Sequence, residues 1–141
     1  MLRLHVIARG KIGRSPEAEL FARYAKRISW PFLLTELPDT GGQPPAPLAP
    51  AREVLLDEHG RQMNSEEFAA LLGQWRDQGV REARFHLGAA DGHGEAARKS
   101  ADLLLAFGAM TWPHMLARAM LAEQLWRATS ILAGHPYHRS G

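Results

Sequence analysis

No cysteine occurs anywhere in the chain, which excludes a disulfide framework, a thiolate metal site and a cysteine nucleophile. There is also no unbroken apolar run of about 18 residues, the length a membrane-spanning helix needs. The stretch from Met1 to Arg9 is too short and too interrupted by charge for a secretion signal, so a cytoplasmic chain is expected. Charge of neither sign dominates: the formal net charge is +2, and its distribution says more than its sum. Several catalytic signatures are missing as well. The sequence has no G-x-S-x-G elbow for serine-based hydrolysis, no G-x-G-x-x-G fingerprint and no Walker lysine.

What is present fits one compact domain over residues 1–141, with a hydrophobic fraction of 45% and a charged fraction of 23%. The segment Leu2 to Ala8 alternates and then turns apolar, as a partly buried strand does. Ser15-Pro16 reads as an N-cap and first helical residue, opening a helix from Glu17 to Ile28. Phe32 to Leu37 predicts a second strand. Between Pro38 and Pro50 there are five prolines in thirteen positions, which rules out helix or internal strand and leaves a long surface loop, a linker or a binding element.

Glu53 to Asp57 predicts a short buried strand closed by a turn at His59-Gly60. From Ser65 a helix presents Phe68, Leu71, Leu72 and Trp75 on one face and stops at Gly79. Ala83 to Leu87 predicts a strand, Gly88 to Gly94 a glycine-rich loop, and Glu95 to Leu105 a helix. A brief strand is expected over Phe107–Thr111, then a last helix from His114 to Leu132. Such alternation predicts an α/β fold with a mostly parallel sheet and helices on both faces. The last helix is apolar almost all round, from Met115 and Leu116 through Leu125 and Trp126 to Leu132. It therefore needs cover on several sides, which predicts a homodimer built partly on it.

In open α/β sheets, ligands sit beyond the carboxyl ends of the strands, here after Leu56, Leu87 and Met110. The glycines of the Gly88–Gly94 loop would let backbone approach a ligand, although a plain turn fits the same letters. Leu105 to His114 sets small residues between large apolar ones, which suits a backbone folded around a flat, uncharged ring such as adenine. A buried strand and its turn fit it equally. Asp91, His93, His114, His135 and His138 are the available metal ligands, but none shows helical ligand spacing and Pro136 interrupts the last pair; no metal is expected. The terminal His135-Pro-Tyr-His-Arg139 offers an aromatic, two imidazoles and a guanidinium, the groups that stack on bases and touch phosphates. Basic residues also gather at Arg3, Arg9, Lys11 and Arg14, a pattern more often a solvated face than a nucleic-acid contact.

Taken together, the segments Ala8-Arg-Gly-Lys11, Leu55-Leu-Asp-Glu-His-Gly60, Ser65-Glu-Glu-Phe68, Met110-Thr-Trp-Pro-His114, Arg118…Ala122-Glu-Gln124 and Tyr137-His-Arg139 resemble the ribosomal RNA large-subunit methyltransferase H family. Its members are the smallest of the SPOUT class, whose α/β fold carries a C-terminal trefoil knot. The resemblance implies methylation at N3 of a pseudouridine in a stem-loop of large-subunit ribosomal RNA, as free RNA or in the assembled ribosome, with S-adenosylmethionine as donor. It also implies a donor site at Leu56, Gly88 and the run Phe107, Gly108, Ala109, Met110, Thr111 and Trp112. On that reading His138 or His114 accepts the proton, Tyr137 stacks on or orients the base, and Arg139 and Arg118 meet phosphate or developing negative charge. Two departures stand out. The family usually opens its loop with two adjacent glycines, where this chain has Gly88 and Ala89. The proline-rich loop also replaces what in many relatives is a longer segment with a helix.

Two other classes fit parts of this pattern. A nucleotide-dependent oxidoreductase would share the sheet and glycine loop but lacks an acidic residue about 20 positions on. A non-catalytic RNA-binding or ribosome-assembly factor would need the basic tail and no donor pocket.

Overall fold

The computed structural model describes residues 1–88 and 94–139. The elements are β1 (Arg3–Arg9), α1 (Pro16–Ala25), β2 (Phe32–Leu37), β3 (Ala51–Gln62), α2 (Ser65–Asp77), β4 (Glu82–Leu87), α3 (Glu95–Ser100), β5 (Leu103–Ala106) and α4 (His114–Leu132). The five strands of the described residues all pair in parallel, in the order β2-β1-β4-β3-β5. The expected α/β class with a parallel sheet is what the chain forms.

Local chemistry sets several helix starts. Ser15 Oγ accepts the Ala18 N–H at 3.0 Å, and Pro16 takes the first helical position. Helix α2 starts at Ser65 as expected, and Asn64 caps it: its side chain accepts from Glu67 N–H while Glu67 accepts from the Asn64 N–H, a reciprocal capping box. Helix α1 ends at Ala25, three residues short of the expected Ile28.

The region after β4 departs from expectation. The helix read from Glu95 to Leu105 stops at Ser100, and the strand expected at Phe107–Thr111 lies instead at Leu103–Ala106. The reason is long-range pairing. Asp102 donates its N–H to Glu53 O at 2.8 Å, and its carboxylate accepts the Glu53 N–H at 2.7 Å, so the β3 ladder captures the chain before another helical turn can form. Strand β3 also outruns its predicted end at Asp57. It continues through His59-Gly60 to Gln62, with a register shift between Leu56 and Arg61 opposite β5. A Cβ on Gly60 would stand 2.6 Å from the Leu104 carbonyl carbon, so this glycine marks a close backbone approach in place of the expected turn.

One face of the sheet carries the apolar core. Leu4, Val6 and Ala8 of β1, Val54 of β3 and Ala83, Phe85 and Leu87 of β4 pack on Phe68, Leu72 and Trp75 of α2 and on Leu121 and Leu125 of α4. Helix α1 joins on the same side through Phe21 against Ala119 and Ala122. The opposite face is polar and still buried: His5, Glu82 and Arg84 are all under 6% exposed. The proline-rich loop 38–50 covers them, with Leu48 N–H donating to Glu82 at 3.0 Å and Arg84 donating to Pro45 O at 2.6 Å. Helix α3 flanks that face, since Ala97 and Ser100 line a cavity with Glu53, Leu55 and His86. Among the described residues, no helix is long and apolar enough to cross a membrane.

Candidate functional site

Strands β3, β4 and β5 deliver their carboxyl ends to one cavity of about 570 Å³, a size usual for small-molecule sites. Its apolar lining includes Leu56, Leu87, Leu105 and Ala106; Phe107, Gly108, Met110, Thr111 and Trp112 follow on the segment between β5 and α4, and Gly88 completes it from the end of β4. Gly108 has φ +113°, a backbone state that side-chain-bearing residues rarely adopt, and it sits where the chain must bend around the cavity. Trp112 donates its indole N–H to Phe107 O at 3.1 Å and so closes the segment on itself. Seven of the eight expected donor-site residues thus line one cavity: Leu56, Gly88, Phe107, Gly108, Met110, Thr111 and Trp112. Ala109 is exposed and does not line it.

The polar rim was not foreseen. Asp57, Glu58 and His59 come from the irregular stretch of β3, and Arg98 from α3. Arg98 is bonded to Asp57, and Thr111 donates to Glu58. Strand irregularities of this kind often re-aim side chains beside functional sites. The position of Asp57 to His59 after Leu56 is a signal that was available in the sequence; the reach of Arg98 across to β3 is not.

The expected catalytic residues divide between two places. His114, the first residue of α4, lines the cavity just described. His138 and Arg139 line a second cavity of about 840 Å³, shared with Leu20, Tyr24, Leu116 and Met120. The two cavities share the run Leu105 to Gly108 in their linings. Tyr137 lies flat on Trp126 with ring centroids 3.7 Å apart, and its hydroxyl donates to Glu123 at 3.2 Å. Burial and the Glu123 carboxylate hold its phenol above its ordinary pKa. The His138 ring is bonded on both nitrogens. Nε2 donates to Glu66 at 2.8 Å, and Nδ1 accepts from Arg127 at 3.0 Å, because a guanidinium can only donate.

Arg118 is not on the surface. Its side chain is 0% exposed, with Nη1 on Glu36 at 2.5 Å and Nη2 on Gly10 O at 3.1 Å. That burial removes it from the expected contact with phosphate. Asp91 and His93 lie outside the described residues, as does the part of the glycine loop from Ala89. Among the described residues, no group of three or more histidines and carboxylates is placed to hold a metal.

Comparisons with known proteins converge on one family. Residues 2–138 match the family described as "Predicted SPOUT methyltransferase". A protein of Novosphingobium aromaticivorans named ribosomal RNA large subunit methyltransferase H is 75% identical over 139 residues, covering 98% of this chain and 99% of that one. Relatives of the same name from Sphingopyxis alaskensis and Erythrobacter litoralis are 67% and 66% identical, each across 98% of this chain and 97% and 99% of their own.

Proposed function

This chain belongs to the SPOUT methyltransferase family, and from that premise we propose that it methylates N3 of a pseudouridine in a stem-loop of large-subunit ribosomal RNA, with S-adenosylmethionine as donor. The carrying observation is the convergence of Leu56, Gly88, Phe107, Gly108, Met110, Thr111 and Trp112 on one cavity. Their chemistry suits that donor. Leu56, Leu105 and Ala106 offer an apolar wall for a purine, and the carboxylates of Asp57 and Glu58 lie within reach of hydroxyl or ammonium groups. When bound, the donor supplies an electrophilic methyl on sulfur.

Transfer from a sulfonium is an in-line displacement, so the protein's contribution is chiefly alignment of the acceptor nitrogen. That nitrogen lies between two carbonyls and carries a proton that must leave. His114 lines the donor cavity and is the residue best placed to receive it. His138 reaches the same role only by giving up the bond its Nδ1 accepts from Arg127. Tyr137 and Arg139 belong to the RNA-facing tail on this reading, with Tyr137 leaving Trp126 to meet the base.

The reading also takes residues 1–141 as one SPOUT domain with its C-terminal knot, located in the cytoplasm and acting as a homodimer. The groove bounded by Leu20, Tyr24, Leu116 and Met120 supports the dimer, because a second copy would cover apolar surface of α1 and α4 together. Two copies also bring together the arginines and histidines that one chain offers sparsely.

The test is radiolabel transfer from S-adenosylmethionine to ribosomes that lack the modification, followed by mapping of the labelled nucleotide. Label on a large-subunit pseudouridine is expected. Donor binding with no transfer would mean a different RNA substrate; no donor binding would favour a non-catalytic assembly factor.

A further inference from the structure

Resting on this reading of an RNA substrate, we propose that Arg118 is a positioning residue. From inside the protein it clamps the loop between β1 and α1, so that Lys11 and Arg14 stand as a preformed contact for RNA phosphates beside the donor cavity.

The clamp is visible bond by bond. Arg118 Nη2 donates to Gly10 O at 3.1 Å and to Arg9 O at 3.4 Å, and Nη1 donates to Glu36 Oε2 at 2.5 Å. The same Glu36 oxygen accepts the Ile12 N–H at 2.8 Å. A single ion pair therefore grips the loop on both sides of Lys11. Gly10 and Gly13 have φ of +83° and +62°, so the loop bends through backbone states reserved largely for glycine. Among the described residues, Arg118 is the largest fully buried side chain, and its Nε has no partner there. An orphaned buried donor destabilises a fold. A shape-matched apolar residue would avoid that cost, which points to a duty for this guanidinium beyond packing.

What the clamp displays is positive and unpaired. Lys11 and Arg14 are exposed, and neither side chain has a hydrogen-bond or ion-pair partner among the described residues. Arg9, by contrast, is already committed to Pro38 O and Gly41 O.

The loop also lies in the right place. Strand β1 pairs with β4 with Ala8 opposite Leu87, and Leu87 and Gly88 line the donor cavity, so the chain leaves β1 at the cavity's edge. A Cβ on Gly10 would lie 3.9 Å from Met115 Cε, next in sequence to the cavity residue His114. Phosphates of a strand whose base enters the cavity would pass this loop. Cations fixed in advance bind phosphate with less ordering cost than mobile ones, and they set register without reading sequence.

The experiment compares parent, Lys11→Ala/Arg14→Ala, Arg118→Met and Gly10→Ala in methyl transfer to unmodified ribosomes over a range of potassium chloride. Calorimetric binding of S-adenosylmethionine and thermal melting are measured alongside. The double variant is expected to raise KM for ribosomes about tenfold, keep kcat and donor affinity, and flatten the log–log salt slope by about 1.5 to 2. Arg118→Met should reproduce the KM rise and the flatter slope although Lys11 and Arg14 remain. Gly10→Ala, which crowds Asp39 Oδ1 at 3.0 Å and meets α4 only in ordinary van der Waals contact at Met115 Cε, should do the same and decides the matter if Arg118→Met does not fold. A double variant with parental KM and slope would overturn the phosphate contact. Parental slopes in both Arg118→Met and Gly10→Ala would overturn the clamp. A parent protein that transfers no methyl at all would instead sink the functional reading on which the inference rests.

Discussion

Glu82, on the central strand β4, accepts the backbone N–H of Leu48 at 3.0 Å, so a carboxylate with 0% exposure holds the middle of the proline-rich loop against the sheet. Its other oxygen receives Arg3 Nε at 2.7 Å and His5 Nδ1 at 3.0 Å. His5 in turn accepts from the Thr35 hydroxyl at 2.7 Å, which joins β1, β2, β4 and the loop in one buried polar network. Removing a partner from such a network leaves the remaining groups uncompensated. Glu82→Gln is therefore expected to lower stability by about 3 kcal/mol in urea denaturation. It should also make the bond before Leu48 more sensitive to thermolysin.

The same network sets the acid limit of the fold. Burial alone would raise the pKa of Glu82, but donation from Leu48, Arg3 and His5 outweighs it and holds the carboxyl below its ordinary 4.5. Glu53 is likewise lowered: its burial is outweighed by the bond from His86 and the charge of Arg84. Burial also lowers His5 from 6.5, against the pull of Glu82. All three groups bind protons less readily folded than unfolded, so their contribution is present at neutral pH and lost on acidification. Melting temperature should hold above pH 6.5, fall gently below it as His5 is forced to charge, and fall steeply below pH 4.5. Glu82→Gln should flatten the steep limb; an unaltered limb would exclude Glu82 as its source.

Gly60 is expected to tolerate no side chain. A Cβ there would lie 2.6 Å from both the carbon and the oxygen of the Leu104 carbonyl, backbone that cannot swing aside. Gly60→Ala should cost on the order of 3 kcal/mol by prising β3 from β5, and donor affinity should fall with it because both strands wall the cavity. Gly94→Ala, with no described residue within 4 Å of the added Cβ, is the control and should melt like the parent.

Removal of residues after Leu132 should abolish methylation while leaving the donor bound. Among the described residues, none beyond Ala117 lines the first cavity, whereas Tyr137, His138 and Arg139 all belong to the removed piece. Calorimetry with S-adenosylmethionine and radiolabel transfer to ribosomes separate the two effects. Transfer at the parental rate would exclude the tail from the reaction.

Much of this site was legible in the letters. The run from Phe107 to Trp112, Ala109 apart, and the strand ends at Leu56 and Leu87 reach one cavity because parallel strands release their loops at a common edge. The rim was harder to read. Asp57 to His59 enter it through a strand irregularity, and Arg98 through a six-residue helix whose carboxylate partner is 41 positions away.

By itself, the sequence determined what depends on near neighbours. Helix starts at Ser15-Pro16 and Ser65, the one-sided face of α2, the parallel α/β class and the absence of thiol chemistry all follow from spacings of a few residues. Only the tertiary structure decided which polar groups are buried. Glu82, Arg84 and His86 alternate with Ala83, Phe85 and Leu87 as in a strand with one wet face, yet the proline-rich loop closes over Glu82 and Arg84. Arg118 reads like any helical arginine and lies at 0% exposure beneath the β1–α1 loop. Periodicity reports that two faces differ in polarity. What covers each face is settled by chain segments that meet across 30 to 110 positions, as Thr35 meets His5 and Arg118 meets Arg9.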